Sequence, residues 1–254
     1  MSDFKEFFSK NAESYSKSVS HKSGEDLALL ITHLDLDRSQ IALDLASGTG
    51  FTAMALAKEV SSVVAYDGTS EMLEQAKKLA SERDIRNIEY VIGDVSGLPF
   101  ESESFDIVTC RRAAHHFTDK AKFLSEAYRV LKQGGKLGLV DMASPEADRN
   151  DVFNSLERIR DNSHVGAEKV SVWTQLVKKS GFEIVQSIGS EEEYTLERWL
   201  SPVPVDGEQG RELSEFVRNT PKELLLNANI DPEKLTLLKL RITLIAKKPM
   251  QETQ

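Results

Sequence analysis

The chain has 254 residues, with 41 Asp and Glu against 32 Lys and Arg, giving a formal net charge of −9. That acidic balance disfavours a phosphate-driven nucleic-acid binder. With 40% hydrophobic and 29% charged residues, a packed core is expected rather than disorder. A lone cysteine, Cys110, can form no internal disulfide, which favours a reducing, cytoplasmic setting. No run approaches the roughly 18 apolar residues of a membrane span, and MSDFKEFFSK has neither an apolar secretory core nor an Arg-rich transit character.

Residues 4–33 read as helical, anchored by Phe4, Phe7 and Phe8 and then by Leu27, Leu29, Leu30 and Ile31. The polar, Ser-rich stretch 11–22 between them reads as a connector or a loop over a ligand, so 1–33 form an expected N-terminal gate. From residue 41 short apolar runs alternate with helical stripes. IALDLA, SVVAYD, IEYVIGD, FDIVTC and KLGLVDM predict five strands, the last entered through Gly134–Gly135. Helices are predicted near 52–60, 71–83 and 119–131, then near 150–160 and 172–179. FEIVQSI and KLRITLIAKK supply a sixth and a seventh strand. This alternation predicts one α/β domain over 1–254: a Rossmann-like, seven-stranded, mainly parallel sheet with helices on both faces. Residues 191–235, between the last two strands, are too long for a hairpin and read as a lid insertion.

The densest chemistry lies in Asp44-Leu45-Ala46-Ser47-Gly48-Thr49-Gly50, where a strand gives way to a helix. Small residues there let the backbone turn sharply and approach a ligand closely. Gly48-Thr49-Gly50-Phe51-Thr52-Ala53 fits the dinucleotide pattern G-x-G-x-x-G/A. Asp44, ahead of the glycines, suits a ligand carrying an ammonium group better than a pyrophosphate. Asp67 ends the second strand, where a ribose hydroxyl pair needs a bidentate acceptor. Asp94 ends the third, where a carboxylate can accept an adenine amino proton. Taken singly, Asp44 and Asp94 equally suit turn N–H groups, and Met72 equally suits the core.

In order, Asp44-Leu-Ala-Ser-Gly-Thr-Gly, Asp67-Gly-Thr-Ser-Glu-Met-Leu, Gly93-Asp94, Leu98-Pro99-Phe100, Ser104-Phe105-Asp106-Ile107-Val108 and Arg129-Val130-Leu131-Lys132-Gln133-Gly134-Gly135 resemble a class I S-adenosylmethionine-dependent methyltransferase. The subgroup resembled is that of the ubiquinone/menaquinone C-methyltransferases. The resemblance covers 41–142, the expected cofactor-binding core, and departs from the family at Ala46, where Gly is usual. It implies S-adenosylmethionine as cofactor, with Asp67 on the ribose hydroxyls and Gly48 and Gly50 along the methionine and ribose portion. It also implies Gly68 and Met72 against adenine, Asp94 and Val95 at its edge, and Arg111 near the methionine end. Asp44, Ala46 and Ser47 belong to the same expected contact set, and Tyr15 is a candidate gate over the cofactor.

The substrate-side candidates come from Arg111-Arg112-Ala113-Ala114-His115-His116-Phe117, after the fourth strand. Imidazole titrates near neutrality and can take a phenol, enol or amine proton, which makes His116, and then His115, the candidate catalytic residues. Either ring equally suits a structural role beneath the loop. In the resembled branch an Arg-Asp-x-Ser-His turn also lies over the substrate pocket, and here Arg160 and His164 match it, although a polar helix cap has the same composition. No Cys or His spacing forms a metal site, and no nucleophile elbow surrounds Ser47.

The expected activity is methyl transfer to a small organic acceptor, quinone-like or phenolic, at carbon or oxygen. An Asn-Pro-Pro-Tyr signature of amide or adenine-N methylation is absent after the fourth strand. The alternatives are an NAD(P)-dependent oxidoreductase on the same architecture and a catalytically silent S-adenosylmethionine-binding module. The expected partners are the small-molecule substrate and a second copy of the chain in a homodimer, with no nucleic acid.

Overall fold

The computed structural model describes residues 24–201 and 204–250. The expected helices around Phe4, Phe7 and Phe8, the gate residue Tyr15 and the end of the tail lie outside the described residues.

Helix α1 (Glu25–His33) leads into β1 (Ile41–Leu45), α2 (Phe51–Leu56), β2 (Ser62–Asp67), α3 (Ser70–Ser81), β3 (Ile88–Ile92) and β4 (Phe105–Arg111). A 3-10 turn at Ala114–His116 precedes α4 (Lys120–Val130), β5 (Leu131–Ala143), α5 (Val152–Arg160) and α6 (Val170–Lys179). The chain closes with β6 (Glu183–Thr195), α7 (Leu196–Leu200), α8 (Glu208–Asn219), α9 (Lys222–Asn227), β7 (Ile230–Asp231) and β8 (Thr236–Lys247). The sheet runs β3-β2-β1-β4-β5-β8-β6. Pairing is parallel from β3 to β5, and β8 inserts antiparallel between β5 and β6.

Alternation along the strands explains why both faces carry helices, since successive side chains point to opposite sides. Leu43, Leu45, Val108, Cys110, Leu137 and Leu139 join one buried cluster with Phe123, Leu124 and Trp173 of α4 and α6. Their neighbours Ala42, Val63, Ala65, Ile107 and Val140 join a second cluster with Leu30 and Leu34 at α1 and Leu56 of α2. A third cluster, around Phe153, Leu156, Trp199, Leu213 and Leu225, holds α5 and the helical excursion α7–α9 together.

Three expectations shift. Strand β5 starts at Leu131, so Gly134–Gly135 lies inside it, and its ladder with β4 is irregular between Phe105 and Ile107. Strand β6 runs on through Glu191, Glu192 and Glu193 to Thr195, because β8 pairs with it along its whole length, from Glu183↔Lys247 to Thr195↔Thr236. The excursion is therefore 196–235 rather than 191–235. An eighth strand, β7, is only two residues long and pairs with β8; two residues cannot display a period. No helix among the described residues is long and apolar enough to cross a membrane.

At the close contact of α1 with β5, a Cβ on Gly138 would lie 2.5 Å from Leu30 Cδ1 and 3.2 Å from Leu34 Cδ2. Both leucines are fully buried and have nowhere to retreat. Gly138→Ala should therefore cost about 1–3 kcal/mol through overpacking, lowering Tm by roughly 2–4 °C per kcal/mol. Combined with Leu30→Ala, the loss should fall short of the sum of the two single changes. An unchanged Tm in Gly138→Ala would mean that α1 is not pressed onto β5.

Candidate active site

The parallel strands end together, so Asp44, Asp67, Asp94 and Arg111 gather at one edge of the sheet, where ligands bind in such folds. The turn after β1 visits left-handed backbone three times: Ala46 at φ 51°, Gly48 at 53° and Gly50 at 79°. Glycine adopts that region freely, whereas Ala46 holds it at a cost of about 1–2 kcal/mol. The turn is tied down by Asp67, whose Oδ2 accepts the Gly48 N–H at 2.8 Å and whose Oδ1 accepts the Thr69 N–H at 2.9 Å. Burial raises the Asp67 pKa, and the Gly48 and Thr69 N–H bonds oppose that rise.

Asp44 is left in a different condition. Its Oδ1 accepts from Thr109 Oγ1 at 2.7 Å, but among the described residues Oδ2 is buried with no hydrogen-bond partner, as is Ser47 Oγ. Burial pushes the Asp44 carboxyl up to about 7, against the Thr109 hydrogen bond and the charge of Arg111. Asp44, Ala46, Ser47, Gly48, Asp67 and Met72 line one cavity. It adjoins a second, lined by Gly68, Asp94, Val95 and Phe117, and both share Ala46, Asp67 and His116. A carboxylate with an unmatched oxygen and a buried hydroxyl at one end, and a second carboxylate at the turn, form a donor set for a ligand with an ammonium at one end and a diol further along. S-adenosylmethionine meets that description.

A third cavity, of about 240 Å³, lies across Arg112 and His116, which line it as well as the first. Its walls include His115, Asp141, Arg160, Asp161 and Trp199. His115 Nδ1 lies 2.6 Å from Asp141 Oδ1, and its backbone N–H donates to Asp141 Oδ2 at 2.7 Å. Burial would raise the Asp141 pKa, but His115 brings it below its ordinary value and keeps the carboxylate ionised. His116 turns Nδ1 to the Ser163 carbonyl at 3.0 Å, leaving Nε2 4.0 Å from Asp161 Oδ2. Burial and the neighbouring His115 hold its pKa down at about 4, so the ring is neutral at pH 7.

Several expected residues sit otherwise. Arg111 lines the cofactor cavity, but its Nε and Nη2 both donate to Asp26 of α1, at 3.1 and 2.9 Å. Arg112 grips the same carboxylate at 2.7 and 2.9 Å. Gly50 lines neither of the first two cavities; a Cβ there would come 2.8 Å from Ala76 Cβ, so glycine lets the turn pack on α3. His164 is buried with Nε2 2.8 Å from Asn154 Oδ1 and reaches none of these cavities, whereas Arg160 does reach one. Sequence reasoning missed Asp26 and Asp141, and gave no role of their own to Arg112 and Asp161, which lie inside the two candidate stretches. An acid within the apolar run KLGLVDM was the one visible signal, for Asp141.

A family model described as a methyltransferase domain matches residues 43–139. A Bacillus halodurans protein of known structure, provisionally named a methyltransferase, is 39% identical with a TM-score of 0.81, covering 89% of this chain and 100% of that one. The chain belongs to the class I S-adenosylmethionine-dependent methyltransferases. The methyltransferase is also 43% identical over 167 residues to YcgJ of Bacillus subtilis, called an uncharacterized methyltransferase, covering 65% of this chain and 66% of YcgJ. It is 37% identical over 116 residues to the demethylmenaquinone methyltransferase of Lactobacillus johnsonii, covering 44% of this chain and 48% of that enzyme. The likeness to quinone methyltransferases thus spans less than half of their length, and neither alternative class is favoured.

The sign of the Asp44 titration sets a test. With the free carboxyl near 7, lowering the pH below 7 protonates it, and a cationic ligand must then expel that proton at about 1.4 kcal/mol per pH unit. Affinity for S-adenosylhomocysteine should therefore rise about tenfold from pH 6 to pH 8 in the wild type. Asp44→Asn keeps the ligand's own titration and should flatten the protein's share of that rise. Parallel pH profiles in the two proteins would remove Asp44 from the ligand's cation.

Proposed function

We propose that the enzyme methylates a compact organic acceptor, phenolic or quinol-like, at oxygen or carbon, in the cavity lined by His115, His116 and Arg160. The observation that carries this reading is the shared wall: Arg112 and His116 each line both the cofactor cavity and its neighbour, so an acceptor atom beside His116 sits at the junction. Bound S-adenosylmethionine supplies an electrophilic methyl group on a sulfonium centre. The chain's part is to hold the acceptor in line and to exclude water, and such positioning is worth several kcal/mol.

His116 is proposed as the base. Its Nδ1 faces the Ser163 carbonyl at 3.0 Å, and in the tautomer that donates there the acceptor's proton goes to Nε2. The Asp161 carboxylate, 4.0 Å away, stabilises the imidazolium that forms. Asp161 is itself aimed by the Ser163 N–H at 2.9 Å and hydroxyl at 2.6 Å. His115 is proposed as a positioning residue, locked by Asp141 with its ring 4.0 Å from that of His116. Arg160 is proposed to contact the acceptor. The excursion 196–235 closes this cavity through Arg198, Trp199 and Ser201, which favours a small molecule over a polymer.

Incubation with S-adenosylmethionine and a panel of phenols and quinols, read as S-adenosylhomocysteine release, should find acceptor-dependent turnover. His116→Asn should lower kcat by about 10²–10⁴ while leaving the KM for S-adenosylmethionine within a factor of about two. An unchanged kcat would remove the base. Silence across the panel with intact cofactor binding would favour the non-catalytic module.

A further inference from the structure

We propose that the acceptor carries an anionic group, a carboxylate or a phosphate, held by Arg160 and Arg241. This rests on the methyl-transfer reading above, whose acceptor cavity it occupies.

Five cations face this one cavity: Arg112, Arg160, Arg198, Lys239 and Arg241. In a chain with nine more acids than bases, such a gathering does not follow from composition. Arg198 has its own partner in Glu192 at 3.1 Å, but the other acids are shared or already engaged. Glu157 accepts from Lys239 at 2.8 Å, Arg160 at 3.2 Å and Trp199 Nε1 at 3.2 Å. Asp26 is gripped by Arg111 and Arg112, so Arg241 comes no nearer to it than 3.8 Å. Asp141 and Asp161, which face the same cavity, are taken up by His115 and Ser163.

The shortfall shows in the donors. Among the described residues, Arg160 Nε and Arg241 Nε are buried with no acceptor. A buried donor left unmet costs about 1–3 kcal/mol. Burial first, then the charge of Arg112, lowers the Arg241 pKa, while burial and Arg160 lower that of Lys239. The Arg160 guanidinium also lies 5.5 Å from the Trp199 ring, which steadies its fork. A planar fork with a spare N–H matches the two oxygens of a carboxylate or phosphate. Apart from Met142 and Trp199 the walls are polar or amphipathic, so a long apolar tail finds no lining here. The acceptor atom then points to His116 and the anion to the Arg160–Arg241 side.

The test is calorimetric titration of the full chain saturated with S-adenosylhomocysteine, using 4-hydroxybenzoate, 4-hydroxyphenyl phosphate and the neutral methyl 4-hydroxybenzoate. At least one anion should bind, with the ester at least about tenfold weaker, which is about 1.4 kcal/mol. The stronger of the two anions identifies the headgroup. Arg160→Gln and Arg241→Gln should each weaken that anion about tenfold while leaving affinity for S-adenosylhomocysteine unchanged. An ester that binds as tightly as the acid, no anion binding up to about 10 mM, or Arg variants that bind like wild type would each overturn the proposal. The acid–ester comparison needs no variant, so a misfolded mutant does not blunt it. Failure of S-adenosylhomocysteine to bind at all would instead overturn the methyl-transfer reading.

Discussion

A carboxylate taken out of water must meet positive charge or hydrogen-bond donors, or else keep its proton. The site is organised by how its buried acids meet that demand. Asp26 meets it with two guanidiniums, and that grip fixes α1 over the end of β4. Asp141 meets it with His115, Glu157 with Lys239 and Arg160, and Asp67 with the N–H groups of Gly48 and Thr69. Among the described residues, Asp44 combines full burial with a carboxylate oxygen that accepts no well-formed hydrogen bond, and burial raises its pKa. The unmatched acid faces the cavity where a cationic cofactor belongs. The unmatched arginine nitrogens face the adjoining one. Opposite deficits of charge therefore stand on either side of the wall made by Arg112 and His116.

This arrangement separates two tasks that methyl transfer combines. One cavity draws on residues of the parallel half of the sheet and of its crossover turns. The other is finished by β6, β8 and the excursion between them, through Tyr194, Arg198, Trp199, Lys239 and Arg241. The relatives follow the same division. The family match covers 43–139, the half that builds the cofactor cavity, and the quinone methyltransferases match over less than half of their length. On the reading proposed above, acceptor choice belongs to the other half.

Much of the first half is legible in the amino-acid order alone. Short apolar runs that end at or beside Asp44, Asp67 and Asp94 announce their own carboxyl edge, and adjacent His115 and His116 after β4 can only fall beside it. Pairings across long stretches of chain are not legible. Asp26 meets Arg111 across 85 positions and His115 meets Asp141 across 26, and nothing local in either segment names its partner. The polar turn 161–164 reads the same whether its histidine faces a cavity or not; Asn154, on α5, turns His164 inward. Gly50 looks like a ligand glycine in sequence, and only the approach of Ala76 shows that packing also demands glycine there. Residues 191–195 read as a charged loop because exposed Glu gives no strand period, whereas β8 recruits them as strand.

The cavity at the ends of β1 and β2 is proposed to take S-adenosylmethionine through Asp67 and the glycine turn. Isothermal titration of the purified chain with S-adenosylhomocysteine, NAD and NADP, repeated on Asp67→Ala, tests it most directly. Saturable binding of S-adenosylhomocysteine, no heat with either dinucleotide, and loss of most of the affinity in the variant are the expected results. Tighter binding of a dinucleotide, or an Asp67→Ala protein with wild-type affinity for S-adenosylhomocysteine, would contradict the claim.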